Sequence, residues 1–183
     1  MDRRLTHLSD LPDPRPGREP QVAVIALGSN EGDRGEMLRA AAERLRRLPL
    51  VDDLVMSDPI ETVAVKPDGP DPDAPPYLNA VALMTTRLAP QVLLGMLHAV
   101  EEEQGRVRLE RWGDRTLDLD LIAYGRLSGD LDGLILPHPR AAERKFVMGP
   151  LAEIAPGWKH PGGGRASDLA DAAAVGQDAA PIR

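Results

Sequence analysis

The chain has 183 residues, with 22 lysines and arginines against 29 acids and a formal charge of −7. At roughly 150 residues per domain this is one domain with tails, long enough to bury a core without cross-links. Cysteine is absent, which excludes disulfides and thiolate metal sites; the acidic balance argues against a general nucleic-acid or anionic-membrane binder, and no apolar run approaches the ~20 residues that span a bilayer.

Residues 1–20 hold four prolines and many charges without an apolar h-region. They predict a flexible lead rather than a secretory signal, and a soluble cytoplasmic protein. Val22 to Leu27 is a continuous apolar run, the pattern of a buried strand. Gly28-Ser29-Asn30-Glu31-Gly32-Asp33 reads as the turn that ends it. Asp33 is placed to cap a helix, with Glu36 completing a capping box; Met37, Leu38, Ala41, Leu45 and Leu48 follow helical spacing over 34–48. Val51–Thr62 reads as a second strand, 63–76 as a long loop of Pro, Asp and Gly, and Leu78–Arg87 as a third strand. Pro90 suits a first helical position. Val92, Leu93, Met96, Leu97 and Val100 then form an apolar stripe that runs to about Gln104, with Gly105 as the stop. Thr116–Tyr124 is a fourth strand. The predicted order, β-α-β-β-α-β, is the ferredoxin-like arrangement of an α+β fold, followed by irregular C-terminal additions and a small Ala-rich helix capped by Ser167.

The chemistry concentrates in Thr116-Leu117-Asp118-Leu119-Asp120-Leu121-Ile122. Period-two alternation puts Leu117, Leu119 and Leu121 on one face and Asp118 and Asp120 on the other, about 7 Å apart. On a central strand such a pair repels itself unless a cation or shared proton relieves it; on an edge strand it is a solvated acidic face. Just before it, Gly105-Arg106-Val107-Arg108-Leu109-Glu110-Arg111-Trp112-Gly113-Asp114-Arg115 sets four arginines against two acids. Arginine suits phosphate oxygens, Trp112 offers a face to a flat ring, and Mg²⁺ binds through one or two carboxylates plus substrate phosphates. Together they form a polyphosphate site; the alternative is a basic loop paired with Glu101, Glu102 and Glu103. His138, between Pro137 and Pro139 and near Arg140, Arg144 and Lys145, is either structural or a phosphate donor. The turn Gly28-Ser29-Asn30 either binds an anion or simply reverses the chain. Only five aromatics occur, Tyr77, Trp112, Tyr124, Phe146 and Trp158, so a ring outside an aliphatic face is a site candidate.

These segments in order, ALGSNEGDR (26–34), Thr62 followed by Tyr77-Leu78-Asn79-Ala80-Val81, GRVRLERWGDRTLDLDLIAYG (105–125) and LPHPRAAERKFVMGPLAEIAP (136–156), resemble the 6-hydroxymethyl-7,8-dihydropterin pyrophosphokinase family of folate biosynthesis. The resemblance implies transfer of the β,γ-pyrophosphoryl group of ATP to the hydroxymethyl oxygen of the pterin with release of AMP, a ferredoxin-like core, and two Mg²⁺ ions. By the same resemblance, Asp118 and Asp120 are Mg²⁺ ligands and catalytic, with Arg106 and Arg115. Glu101, Arg108, Trp112, His138 and Arg144 are ATP contacts, and Thr62, Tyr77, Asn79 and Phe146 are pterin contacts. It further implies a monomer with small-molecule partners only. The expected domain spans 21–160, between the lead of 1–20 and a partly helical, frayed extension of 161–183. Against the family pattern, Asp114 replaces a proline, Ile60 an aromatic and Val63 a proline, and the 63–76 loop is longer. Two other classes fit less well. A nucleotidyltransferase keeps its Gly-Ser turn close to its Asp-x-Asp, whereas here about ninety residues separate them. An RNA-binding module stacks bases on strand aromatics, and LNAVALMTTR has none.

Overall fold

The apolar run of the first strand has no polar side chain to turn outward, so it is stable only with both faces covered. In the computed structural model, which describes residues 19–66, 69–71, 73–104 and 117–173, that strand, β1 (Gln21–Ser29), lies inside an antiparallel sheet. It follows with α1 (Arg34–Arg46), β2 (Val51–Met56), β3 (Ile60–Thr62), β4 (Ala64–Lys66), β5 (Gly69–Asp71), β6 (Tyr77–Thr86), α2 (Pro90–Glu103) and β7 (Asp118–Tyr124). β8 (Gly129–Leu131), β9 (Leu134–Leu136), a 3₁₀ turn at Ala141–Glu143, α3 (Lys145–Ile154) and α4 (Ala166–Ala172) complete the described chain. The spatial order is β2-β6-β1-β7, with β3 also paired to β6.

Alternation along the strands builds two cores. Ala23, Ile25 and Leu27 of β1, Ala80, Ala82 and Met84 of β6, and Leu119 and Leu121 of β7 meet Leu38, Ala41 and Leu45 of α1 and Leu93, Leu97 and Val100 of α2. The opposite face carries Val24, Ala26, Val81 and Ile122 against Phe146, Val147, Met148 and Leu151 of α3 and Ala166 of α4. Each fully buried leucine contributes about 1.5–3 kcal/mol from leaving water. A bulge between Val24 and Ile25 shifts the β1–β7 register. It lets Ala123 join the α3 side and returns Tyr124 to the α1–α2 side.

Several expectations change. Gly28 and Ser29 belong to β1, so the turn starts at Asn30. Asp33 caps α1 by accepting from the Glu36 amide at 3.0 Å, but the Glu36 carboxylate pairs with Arg39 instead of closing the box; the helix ends at Arg46, two residues early. Val92 is 49% exposed and off the α2 stripe, and the buried fourth position is Glu101. The predicted second strand is two pieces because Pro59 has no amide to donate. Ser57 bridges the break: its amide donates to the Val81 carbonyl at 2.9 Å and its Oγ accepts from the Val81 amide at 3.0 Å. The 63–76 loop carries the β4–β5 hairpin. β7 is an edge strand rather than a central one. Residues 1–18, the Gly105 stop, Thr116 and the chain beyond 173 lie outside the described residues. No described helix is long and apolar enough to cross a membrane.

After α3 the chain turns through Trp158 and His160 into α4. The His160 Nδ1 accepts from the Gly162 amide at 3.0 Å, and its Nε2 is sealed from water with no partner among the described residues. Burial pushes the imidazole below its ordinary 6.5. The unfolded chain therefore takes up the proton first, so the stability this group contributes is complete above pH 6.5 and is lost as the pH falls through the folded value. Urea unfolding from pH 7.5 to 4.5 should show an acid limb that His160→Asn flattens; equal limbs in both proteins would contradict this origin.

Candidate active site

Tyr77, Asn79, Asp118, Asp120 and Phe146 come together on the α3 face at one end of the sheet. Gly28 of β1 is opposite Asn79 of β6 on one side and Asp118 of β7 on the other. Ala26 is opposite Asp120. A shallow cleft is lined there by Ala26, Leu27, Gly28, Tyr77, Asn79, Ala80, Asp118, Asp120 and Phe146. The predicted shared face of Asp118 and Asp120 is therefore present, while Leu119 turns to the opposite core. Asp118 is buried and Asp120 half-buried.

Gly28 and Ala26 were not singled out as lining residues, yet they make the floor. A Cβ added to Gly28 would stand 3.0 Å from the Asn79 Oδ1, tight enough that the carboxamide would have to shift by a few tenths of an ångström. Glycine there lets the amide lie across the strand. The Asn79 Nδ2 donates to the Thr62 Oγ1 at 2.7 Å, which orients the carboxamide and leaves Thr62 behind it. The sequence signal was the small-residue alternation of Ala26 and Gly28 opposite Leu27.

Arg144 immediately precedes α3. It is 2% exposed, with its guanidinium 5.6 Å from the centre of the Phe146 ring. Its Nε and Nη1 are buried with no hydrogen-bond partner among the described residues. Burial, then repulsion from Arg140, pushes it down to about 10, and attraction to Asp120 and Asp118 offsets only part of this. It remains a cation at neutral pH, short of negative charge and of acceptors. An anion entering beside it supplies both.

Glu101 does not line the cleft. It is 1% exposed, and its Oε1 accepts from the Leu119 amide at 2.8 Å, so α2 holds β7 between the two aspartates. His138 is also buried and outside the lining: its amide donates to the Ile122 carbonyl at 2.7 Å, and its Nδ1 accepts from the Arg140 amide at 3.4 Å. That bond leaves Nε2 as the protonated nitrogen of the neutral ring. Arg106, Arg108, Trp112 and Arg115 lie outside the described residues.

Among the described residues no group of three or more acids, histidines or cysteines could hold a metal. Two carboxylates on one face nevertheless fit Mg²⁺, which takes hard oxygen ligands and completes its shell with phosphates and water. A paired-acid cleft beside a buried arginine, lined also by two aromatics and an amide, has the chemistry to receive a polyphosphate and a flat polar ring.

Comparison with known proteins narrows the class. The model of the 7,8-dihydro-6-hydroxymethylpterin-pyrophosphokinase (HPPK) family matches residues 24–156, and the chain belongs to that family. A Pseudomonas aeruginosa relative is 42% identical over 154 residues, covering 81% of this chain and 90% of its own. One from Haemophilus influenzae is 45% identical over 134 residues, covering 73% and 81%. Both are called 2-amino-4-hydroxy-6-hydroxymethyldihydropteridine pyrophosphokinase. Among solved structures, wild-type Plasmodium falciparum HPPK-DHPS with pteroate superposes with a TM-score of 0.63 at 13% identity over 84% of this chain. That likeness concerns the fold, and this chain spans only 42% of the Plasmodium chain.

Two stability measurements test the site. Glu101→Ala strands the Leu119 amide and should cost about 1–3 kcal/mol in urea unfolding; a loss below about 0.5 kcal/mol would remove Glu101 as the tie of β7. Arg144→Met should stabilise the ligand-free protein by about 1 kcal/mol or more, because the burial cost exceeds the attraction to the aspartates. A drop in the melting temperature would mean that Arg144 is already fully paired.

Proposed function

We propose that the α3-face cleft is where this pyrophosphokinase of folate biosynthesis carries the pyrophosphoryl group of ATP to the hydroxymethyl oxygen of 6-hydroxymethyl-7,8-dihydropterin, leaving AMP. The observation that carries this reading is the meeting, across Gly28, of the Asp118–Asp120 pair with Asn79, Tyr77 and Phe146, with Arg144 buried beside them, its Nε and Nη1 without a partner among the described residues.

A flat, polar heterocycle calls for aromatic faces and an amide for its edge. Phe146 and Tyr77 supply the faces, and Asn79, oriented by Thr62, supplies the amide. Asp118 and Asp120 would hold Mg²⁺, two ions by family resemblance, next to the triphosphate. When bound, the metal supplies charge neutralisation for phosphate oxygens and the attacking hydroxyl. Arg144 receives phosphate oxygens on its unpaired N–H groups. His138 donates from Nε2, with its ring turned by the Arg140 amide. Arg106, Arg108, Arg115 and Trp112 enter on sequence grounds as the cationic flap over ATP, which excludes water so that the nucleotide is not hydrolysed. Glu101 is the acidic position assigned to ATP by resemblance, and its bond to the Leu119 amide supports an indirect share in that role, through β7. The reaction then proceeds by in-line positioning and electrostatics without a covalent intermediate.

The strand order β2-β6-β1-β7 with helices after the first and third core strands supports the ferredoxin-like description. The enzyme unit is residues 21–160, with 1–20 as a flexible lead and 161–183 as an extension whose α4 packs on α3. A monomer in the cytoplasm, acting on small molecules alone, agrees with the acidic charge.

The test is turnover of ATP and the hydroxymethyl pterin with the α-phosphate labelled. The label should remain in AMP. Asp118→Asn and Asp120→Asn should each lower kcat by about a hundredfold or more at an unchanged melting temperature. Undiminished turnover in both variants would remove the metal assignment, and label on the pterin would mean nucleotidyl transfer.

A further inference from the structure

The chain leaves the sheet after β3, makes the β4–β5 hairpin, and returns at β6; one side chain outside the cleft holds both the exit and the return. Arg34, the first residue of α1, donates from Nη2 to the Glu61 Oε2 at 2.9 Å and from Nη1 to the Pro76 carbonyl at 2.6 Å. Glu61 directly precedes Thr62, and Pro76 directly precedes Tyr77. Thr62 and Tyr77 are themselves opposite each other in the β3–β6 register, and Thr62 accepts the Asn79 amide that lies over Gly28. The Arg34 side chain is 27% exposed and that of Glu61 58%, so the arm to the Pro76 carbonyl is the more sheltered of the two. Its planar fork reaches two acceptors in fixed directions, which a lysine cannot copy.

We infer that Arg34 is a positioning residue for pterin selection: by clamping both feet of the 63–76 insertion it sets the distance from Thr62 to Tyr77, and through Thr62 the aim of the Asn79 amide. Arg34 is not among the residues that line the cleft. It acts on the wall of the pocket and leaves the phosphate side alone. The inference rests on the pterin assignment of Thr62, Tyr77 and Asn79 proposed above. Ion pairs between partly exposed groups add little to stability as a rule, which separates a role in substrate fit from a role in folding.

Steady-state kinetics of Arg34→Ala, Arg34→Lys, Glu61→Gln and Asn79→Ala, with each substrate varied in turn and melting temperatures recorded, decide the matter. Arg34→Ala should raise KM for the pterin about tenfold while kcat and KM for ATP stay within about twofold. Arg34→Lys, which keeps the charge without the fork, and Glu61→Gln, which weakens one arm, should fall between. If Asn79→Ala raises the pterin KM and Arg34→Ala does not, or if Arg34→Ala raises both KM values equally, the clamp is refuted and the pocket assignment stands. If Asn79→Ala also leaves the pterin KM unchanged, the pocket assignment fails and takes the clamp with it.

Discussion

The alternation of β7 is the constraint on which the site depends. Leu117, Leu119 and Leu121 must face α1 and α2 to complete the larger core, and because side chains on a strand change face at every residue, Asp118 and Asp120 are thereby committed to the other side. A slip of one residue would turn two carboxylates into the core under α1 and α2 and take three leucines out of it, a costly exchange. The core thus fixes the chemistry. The acids are held at that position by a hydrophobic requirement that has no connection with phosphate, and Glu101, reaching from α2 to the Leu119 amide, fastens the same register from the edge.

The second element of the site runs the other way, against stability. A guanidinium with 2% exposure, pushed down to about 10 and with two nitrogens that find no partner among the described residues, is costly to bury. Placed beside the acidic pair and over Phe146, it becomes an asset when a polyanion arrives, because the binding energy released there was withheld during folding. Asp118, Asp120 and Arg144 form one electrostatic unit, which the proposed function reads as arranged for a ligand.

Much of this was legible in residue order. The buried run 22–27, the capping Asp33, Pro90 opening α2 and the Leu/Asp alternation at 117–121 are local signals, set by one or two neighbours, and they survive folding. What was not legible is what depends on distant pairing. Gly28 reads as turn chemistry because glycine and serine follow an apolar run, and only the strand pairing with Asn79 shows that it is a floor tile. The division of the second strand at Ser57–Pro59 depends on β6 offering Val81 at the right height. Glu101 looks like one of three solvated glutamates until α2 docks and turns it inward. Val92 matched the helical spacing but lies outside the arc that α2 presents to the sheet. Asp118 reads as central only while the strand order is unknown.

The margins of the sheet differ in one further respect. Along β7 the outward amide of Leu119 is taken by Glu101 and the outward carbonyl of Ile122 by His138, so this border offers a visiting strand little to pair with. Along β2, Val55 is 48% exposed; Asp52 is paired with Arg87 at 2.8 Å, Asp53 adds a charge to the border, and Pro59 interrupts it. The two margins therefore differ: a side chain and a loop amide cover part of one, and a charge and a proline break interrupt the other.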